Sequence, residues 1–145
     1  MKTSCCLVVS SLFIALLLYG TGSALAENGR DFAGSYAVTN ETDWGEDVSL
    51  TLSLRIVNYS GADVTDALLT LDDPLFLDEV YADLGVIDVA YRRQVVVSKD
   101  IVLPFEEYQR WREGQPPQVQ LEYLTADGNP ARRPVELMAM PLGEE

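Results

Sequence analysis

The sequence contains no histidine, and its two cysteines, Cys5 and Cys6, stand side by side near the N-terminus. Each absence removes a class of chemistry. Without imidazole there is no Ser-His-Asp or Cys-His arrangement and no ordinary zinc, copper or haem site. With no cysteine after Cys6, the body of the chain has no disulfide and no thiol nucleophile, so its fold must rest on an apolar core. Cations are scarce as well, 10 Lys and Arg against 23 Asp and Glu, for a formal net charge of −13. Nucleic acid and anionic lipid are held by clustered Lys and Arg, so both are disfavoured as partners. Acidity of this degree suits solubility outside the cytoplasm, with cation binding as the sharper alternative. The 145 residues show no internal repeat and no low-complexity linker, and suffice for one domain with a real core.

What is present begins with an export signal. Lys2 precedes an apolar run from Cys5 to Tyr19, and small residues follow, ending in Ala24-Leu25-Ala26. This predicts a secretory signal peptide over residues 1–26, cleaved after Ala26, in preference to an uncleaved membrane anchor. The mature domain would span residues 27–145 and act in the periplasm or outside the cell.

The clearest structural signal is Val48 to Ile56. Val48, Leu50, Leu52, Leu54 and Ile56 alternate without a break against Ser49, Thr51, Ser53 and Arg55, the period of a strand with one buried and one wet face. Ser35 to Val38 predicts a short strand before it. The turn formers Asn58 to Asp63 lead to a further strand, Val64 to Leu71, and the two read as a hairpin. From Leu75 to Ile87 the pattern is irregular, and Asp72, Asp73, Asp78, Glu79, Asp83 and Asp88 are spaced through and around it. Val95 to Leu103 is a strand by propensity, interrupted on its inward positions by Lys99. Either a bulge shifts the register there, or Lys99 lies at a rim where its head reaches water. Pro104 to Glu113 holds one short helix, with Phe105, Tyr108 and Trp111 as an aromatic stripe covering an open end of the core. Gln118 to Tyr123 and Arg133 to Met140 are strands joined across Ala126-Asp127-Gly128-Asn129. Pro134 should place the last strand on a sheet edge or delay its pairing. Trp44 is expected to plug the core end, with a ligand platform as the alternative. Arg92 and Arg93, adjacent in a strand, would point to opposite faces and make a poor anion clamp. The acceptor patterns at Asn40 and Asn58 are read as coincidental.

Together these features predict an all-β domain, a single immunoglobulin-like two-sheet sandwich of about six or seven strands with one short helix. The run from Val48 through Asn58 and Gly61 to Val64 resembles the strand-turn-strand opening of bacterial immunoglobulin-like modules of the CARDB and alpha-galactosidase-associated types, and the closing hairpin from Val119 to Leu137 is similar in kind. The helix lies outside that pattern. The resemblance implies a non-catalytic role in adhesion, assembly or spacing, and carries over no catalytic residue. The expected function is that of an exported interaction module for another envelope or extracellular protein, acting through an edge strand or loop face, with no catalytic, cofactor-binding or metal residues. The alternative is carbohydrate or calcium binding through Trp44, Trp111, Tyr59 and the acidic stretch Asp72 to Asp88. A glycosidase working with paired carboxylates is a more distant third.

Overall fold

The computed structural model describes residues 30–76 and 78–140. The signal segment read over residues 1–26 lies outside the described residues. Within them the chain is all-β apart from one helix. Its strands are β1 (Phe32–Asp43), β2 (Asp47–Asn58), β3 (Val64–Asp72), β4 (Val80–Val89), β5 (Gln94–Pro104), β6 (Gln118–Leu124) and β7 (Pro130–Ala139), and helix α1 (Phe105–Arg112) stands between β5 and β6. Among the described residues no helix is long and apolar enough to cross a membrane.

The alternation in β2 does what its period dictates. Val48, Leu50, Leu52, Leu54 and Ile56 are all buried, and they join Phe32, Leu69, Leu71, Leu103, Val119, Leu121 and Val135 in one core. The strand over Ser35 to Val38 extends to Phe32–Asp43, and its Gly34 has a steric reason: a Cβ there would fall 1.8 Å from the carbonyl oxygen of Arg55. The irregular stretch after Leu75 contains a full strand, β4. Its pairing with β3 is interrupted by register shifts, which broke the periodicity that would have announced it.

Two expectations about connection are corrected, and a third is decided between its alternatives. The strands hydrogen-bond as one seven-stranded sheet in the order β4-β3-β6-β7-β1-β2-β5, because a parallel ladder between β1 and β7 joins what would otherwise be two sheets. β2 and β3 do not form a hairpin: β2 pairs with β1 and β5, β3 with β4 and β6, and the turn after Asn58 carries the chain across the core. Of the two alternatives for Pro134, the edge position is not found, since β7 is a central strand, whereas the delayed pairing holds toward β1, whose ladder with β7 starts at Val135, the residue after that proline. The closing β6–β7 hairpin stands as expected.

The sheet curls into a nearly closed barrel. Leu71, Val119, Val135, Phe32 and Asn58 form one row of paired residues, which starts near the C-terminal end of β3 and finishes at the C-terminal end of β2. Those are opposite ends of the molecule, so successive strands are staggered in the way that closure requires. At one end, the far end, Asn58 meets the edge strand β4: its Nδ2 donates to the carbonyl of Val89 at 2.8 Å, and it forms a bridge with Tyr91. At the other, the helix end, α1 packs against β5 and β2. The aromatic stripe is placed as predicted, with Tyr108 and Trp111 buried in the core and Trp111 edge-on to Tyr36 at a centroid distance of 6.4 Å.

Candidate functional site

Polar chemistry gathers at the helix end. β3 runs out at Asp72, and Asp73 opens the loop to β4. The Asp73 carboxylate accepts the N–H of Leu75 at 2.7 Å and of Phe76 at 3.3 Å through Oδ1, while Oδ2 accepts the Tyr81 hydroxyl at 2.9 Å. The backbone closes the same loop, Asp73 N–H to the Glu79 carbonyl and Glu79 N–H to that of Phe76. The bond from Leu75, then those from Tyr81 and Phe76, hold the Asp73 carboxyl below its ordinary range, against an opposing contribution from burial. Tyr81 is pushed up to about 12, chiefly by burial and then by its bond to Asp73.

The helix supplies the other half. Glu107 is only 2% exposed, which its place in the first turn of a surface helix did not announce. Its Oε1 accepts the Trp111 indole N–H at 2.8 Å and its Oε2 lies 2.6 Å from the Arg110 guanidinium. Arg110 is also the smallest of the influences that lower the pKa of Asp73. Tyr108, likewise pushed up to about 12, is raised first by burial and then by its bond to Glu41. Asp73 thus fixes the loop on itself and on β4, Glu107 ties two side chains of its own helix, and Tyr108 links the helix to β1. The same loop carries two exposed apolar side chains, Leu75 at 70% and Phe76 at 62% exposure.

A second buried carboxylate, Asp72, lies on the outer face of β3. It is fully buried, accepts the Thr70 hydroxyl at 2.8 Å, and is paired with Arg132, which also approaches Glu122. A buried carboxylate kept with a guanidinium and a hydroxyl is a satisfied structural ion pair.

The aromatic residues considered for a ligand do not converge. Trp44, expected to plug the core, is 71% exposed at the β1–β2 turn; the plug is Trp111. Tyr59 lies at the other end of β2, beyond Asn58. The acidic stretch is likewise dispersed. Asp83 accepts the N–H of Gly85, Asp88 that of Asp66, and Asp72 and Asp73 are engaged as described. Among the described residues no group of three or more carboxylates is placed to hold a metal ion. Arg92 and Arg93 sit in the β4–β5 turn, with the Arg92 guanidinium 5.1 Å from the centre of the Tyr91 ring. Asn58 is wholly enclosed and its amide is spent on carbonyls, so it is not an accessible acceptor for glycosylation. Sequence reasoning missed the Asp73 and Glu107 hub, whose only signal was the Asp-Pro step that caps a loop.

No family model matches this chain, and no curated protein matches it. Among solved structures, it is similar to the GH20 exo-β-N-acetylglucosaminidase from Vibrio harveyi, both in complex with N-acetylglucosamine and as an inactive mutant. In each case the identity is 13% and the TM-score 0.41, over 74% of this chain and 18% of that one. A likeness of that size assigns neither an activity nor a family.

Proposed function

We propose that the chain is an exported, non-catalytic interaction module of the envelope or extracellular space, built on an immunoglobulin-like strand plan, whose partner-facing surface is the helix end. The strand order supports the plan. β4-β3-β6-β7 and β1-β2-β5 form two blocks around one core, and the chain passes between them after β2, after β4 and after β5, as Greek-key sandwiches do. A binding role fits a chain without histidine whose buried carboxylates are engaged by guanidinium, hydroxyl, indole or backbone N–H groups. The observation that carries the reading is the loop after Asp73. Two large apolar side chains are held in water on a loop fixed by one carboxylate, and such a surface is stabilised by a partner that covers it.

The unpaired edges support this reading less well. Lys99 pairs with Leu52 and so occupies an inward position of edge strand β5, a device that resists strand addition. The test places a photo-crosslinking side chain at position 76 of the full chain in its native host. A defined protein adduct that is lost in Leu75→Ser, with the melting temperature unchanged, is the expected result. Absence of any adduct from a folded, exported chain defeats the reading.

A further inference from the structure

We propose that the outer face of β1, β2 and β5, beside the β1–β2 turn, is a saccharide-binding subsite in which Trp44 is the stacking platform and Asn40 and Asp100 receive the sugar hydroxyls. The observations behind it are separate from the loop after Asp73. The alternation that buries Leu50 and Leu52 turns Ser49 and Thr51 to the outside, and the register sets Asp100 directly beside Thr51 and Val102 beside Ser49. Asn40 reaches the same row from β1 at an irregularity between Thr39 and Thr42, with its backbone at φ 53°, a conformation few residues other than glycine adopt. Together these residues line a shallow groove of ≈ 410 Å³, within the size range of small-ligand sites.

The indole fixes what the groove can take. Trp44 Nε1 donates to Ser49 Oγ at 3.1 Å, which uses the only donor of the ring and holds it next to the groove, yet the residue remains 71% exposed. Thr51 has its proton committed: it accepts from Asn40 Nδ2 at 3.2 Å and donates to Asp100 Oδ1 at 2.6 Å. Asn40 and Asp100 are both exposed, and among the described residues no bond is made by Asn40 Oδ1 or Asp100 Oδ2, which are the carbonyl and carboxylate acceptors the groove offers. No cation lines the groove, and Lys99 belongs to the opposite face of its strand. A phosphate, sulfate or carboxylate ligand is thereby disfavoured. An uncharged ring with one face of C–H groups and a rim of hydroxyl donors matches both halves, its C–H face on the indole and its hydroxyls on the two acceptors. That is the chemistry of a neutral pyranose.

The two tryptophans make the test direct, because Trp111 is 4% exposed and reports only on the core. The full chain is titrated with neutral oligosaccharides at millimolar concentration: β-1,4-glucan, α-1,4-glucan, β-1,4-mannan and β-1,4-linked N-acetylglucosamine fragments. At least one should shift the exposed-tryptophan emission saturably. Trp44→Ala should abolish that response and weaken calorimetric binding about tenfold. Asp100→Asn and Asn40→Gly, the latter keeping a residue that tolerates φ 53°, should each weaken it about fivefold, all with unchanged melting. A Leu75→Ser, Phe76→Ser double variant, which disables only the proposed interaction surface, should bind the sugar as the parent does. The proposal is overturned if no saccharide in the set perturbs the emission, if Trp44→Ala binds like the parent, or if the double variant loses the sugar.

Discussion

Asn58 shows how much one side chain can hold. Its Nδ2 donates to the carbonyls of Ala62 and Val89, both at 2.8 Å, and its Oδ1 accepts from the N–H and the hydroxyl of Ser60. Every hydrogen-bonding capacity of the amide is therefore met at a position with no exposure. Asn58→Asp would turn an acceptor toward two carbonyls, and Asn58→Ala would leave them orphaned. We expect Asn58→Ala to lower the unfolding free energy by about 1–3 kcal/mol, as for a buried polar group left unmade, read from the midpoint of urea unfolding. Gly34 is the second such position. A Cβ there meets the backbone of Arg55, which has no flexible end to yield, so β1 and β2 must separate. Gly34→Ala is expected to cost about 1–3 kcal/mol, the usual range for overpacking, with the loss visible as faster amide exchange along β1. A variant as stable as the parent would mean that the strands can shift without penalty.

At the scale of elements, the polar groups of the helix end and the edge strand β5 each make a prediction. Asp73 has a folded pKa below its unfolded value, so its contribution is present above the unfolded carboxylate range and is lost as the pH falls through the folded value. Tyr81 and Tyr108 are shifted the other way, to about 12, so their contribution is present below the ordinary tyrosine range and is lost between there and about pH 12. Stability should thus decline at both extremes. Asp73→Asn should flatten the acid limb, and Tyr81→Phe part of the alkaline limb, in melting temperatures measured against pH. Limbs identical to the parent would show that these groups do not couple to folding. In β5, Lys99 stands among Val95, Val97, Ile101 and Leu103 on the inward side, with its head in water because β4 does not pair along that edge. Of the two explanations open from sequence, the rim position is the one found, since β5 pairs with β2 from Asp47 to Val57 without a shift. Lys99→Val leaves a continuous apolar edge, and we expect concentration-dependent association in light scattering where the parent stays dispersed.

For the molecule as a whole, the core is the common property of strands that are remote in sequence. Leu52, 1% exposed on β2, lies at its centre, and Leu52→Asp should abolish cooperative unfolding; a soluble variant that melts cooperatively would refute that placement. The strands with strict alternation, β2 and β6, were readable from residues alone, as was the helix, because an aromatic repeat and its flanking charges are local signals. β4 was not readable, because its register shifts destroy the period, and neither was Glu107, because a glutamate in a first turn carries no mark of burial. Trp44 and Trp111 were both visible as aromatic residues in need of a place, and sequence had no means to decide which would enter the core. The composition by itself determined what chemistry is absent: no imidazole, no thiol beyond Cys6, few cations. Only the tertiary structure decided that the strands form one curled sheet, that Asn58 reaches Val89, that Glu107 is buried with Arg110 and Trp111 and that Trp44 stays in water. The physical reason is range: side-chain period acts within a strand, whereas pairing, stagger and closure depend on contacts whose partners the local pattern does not name.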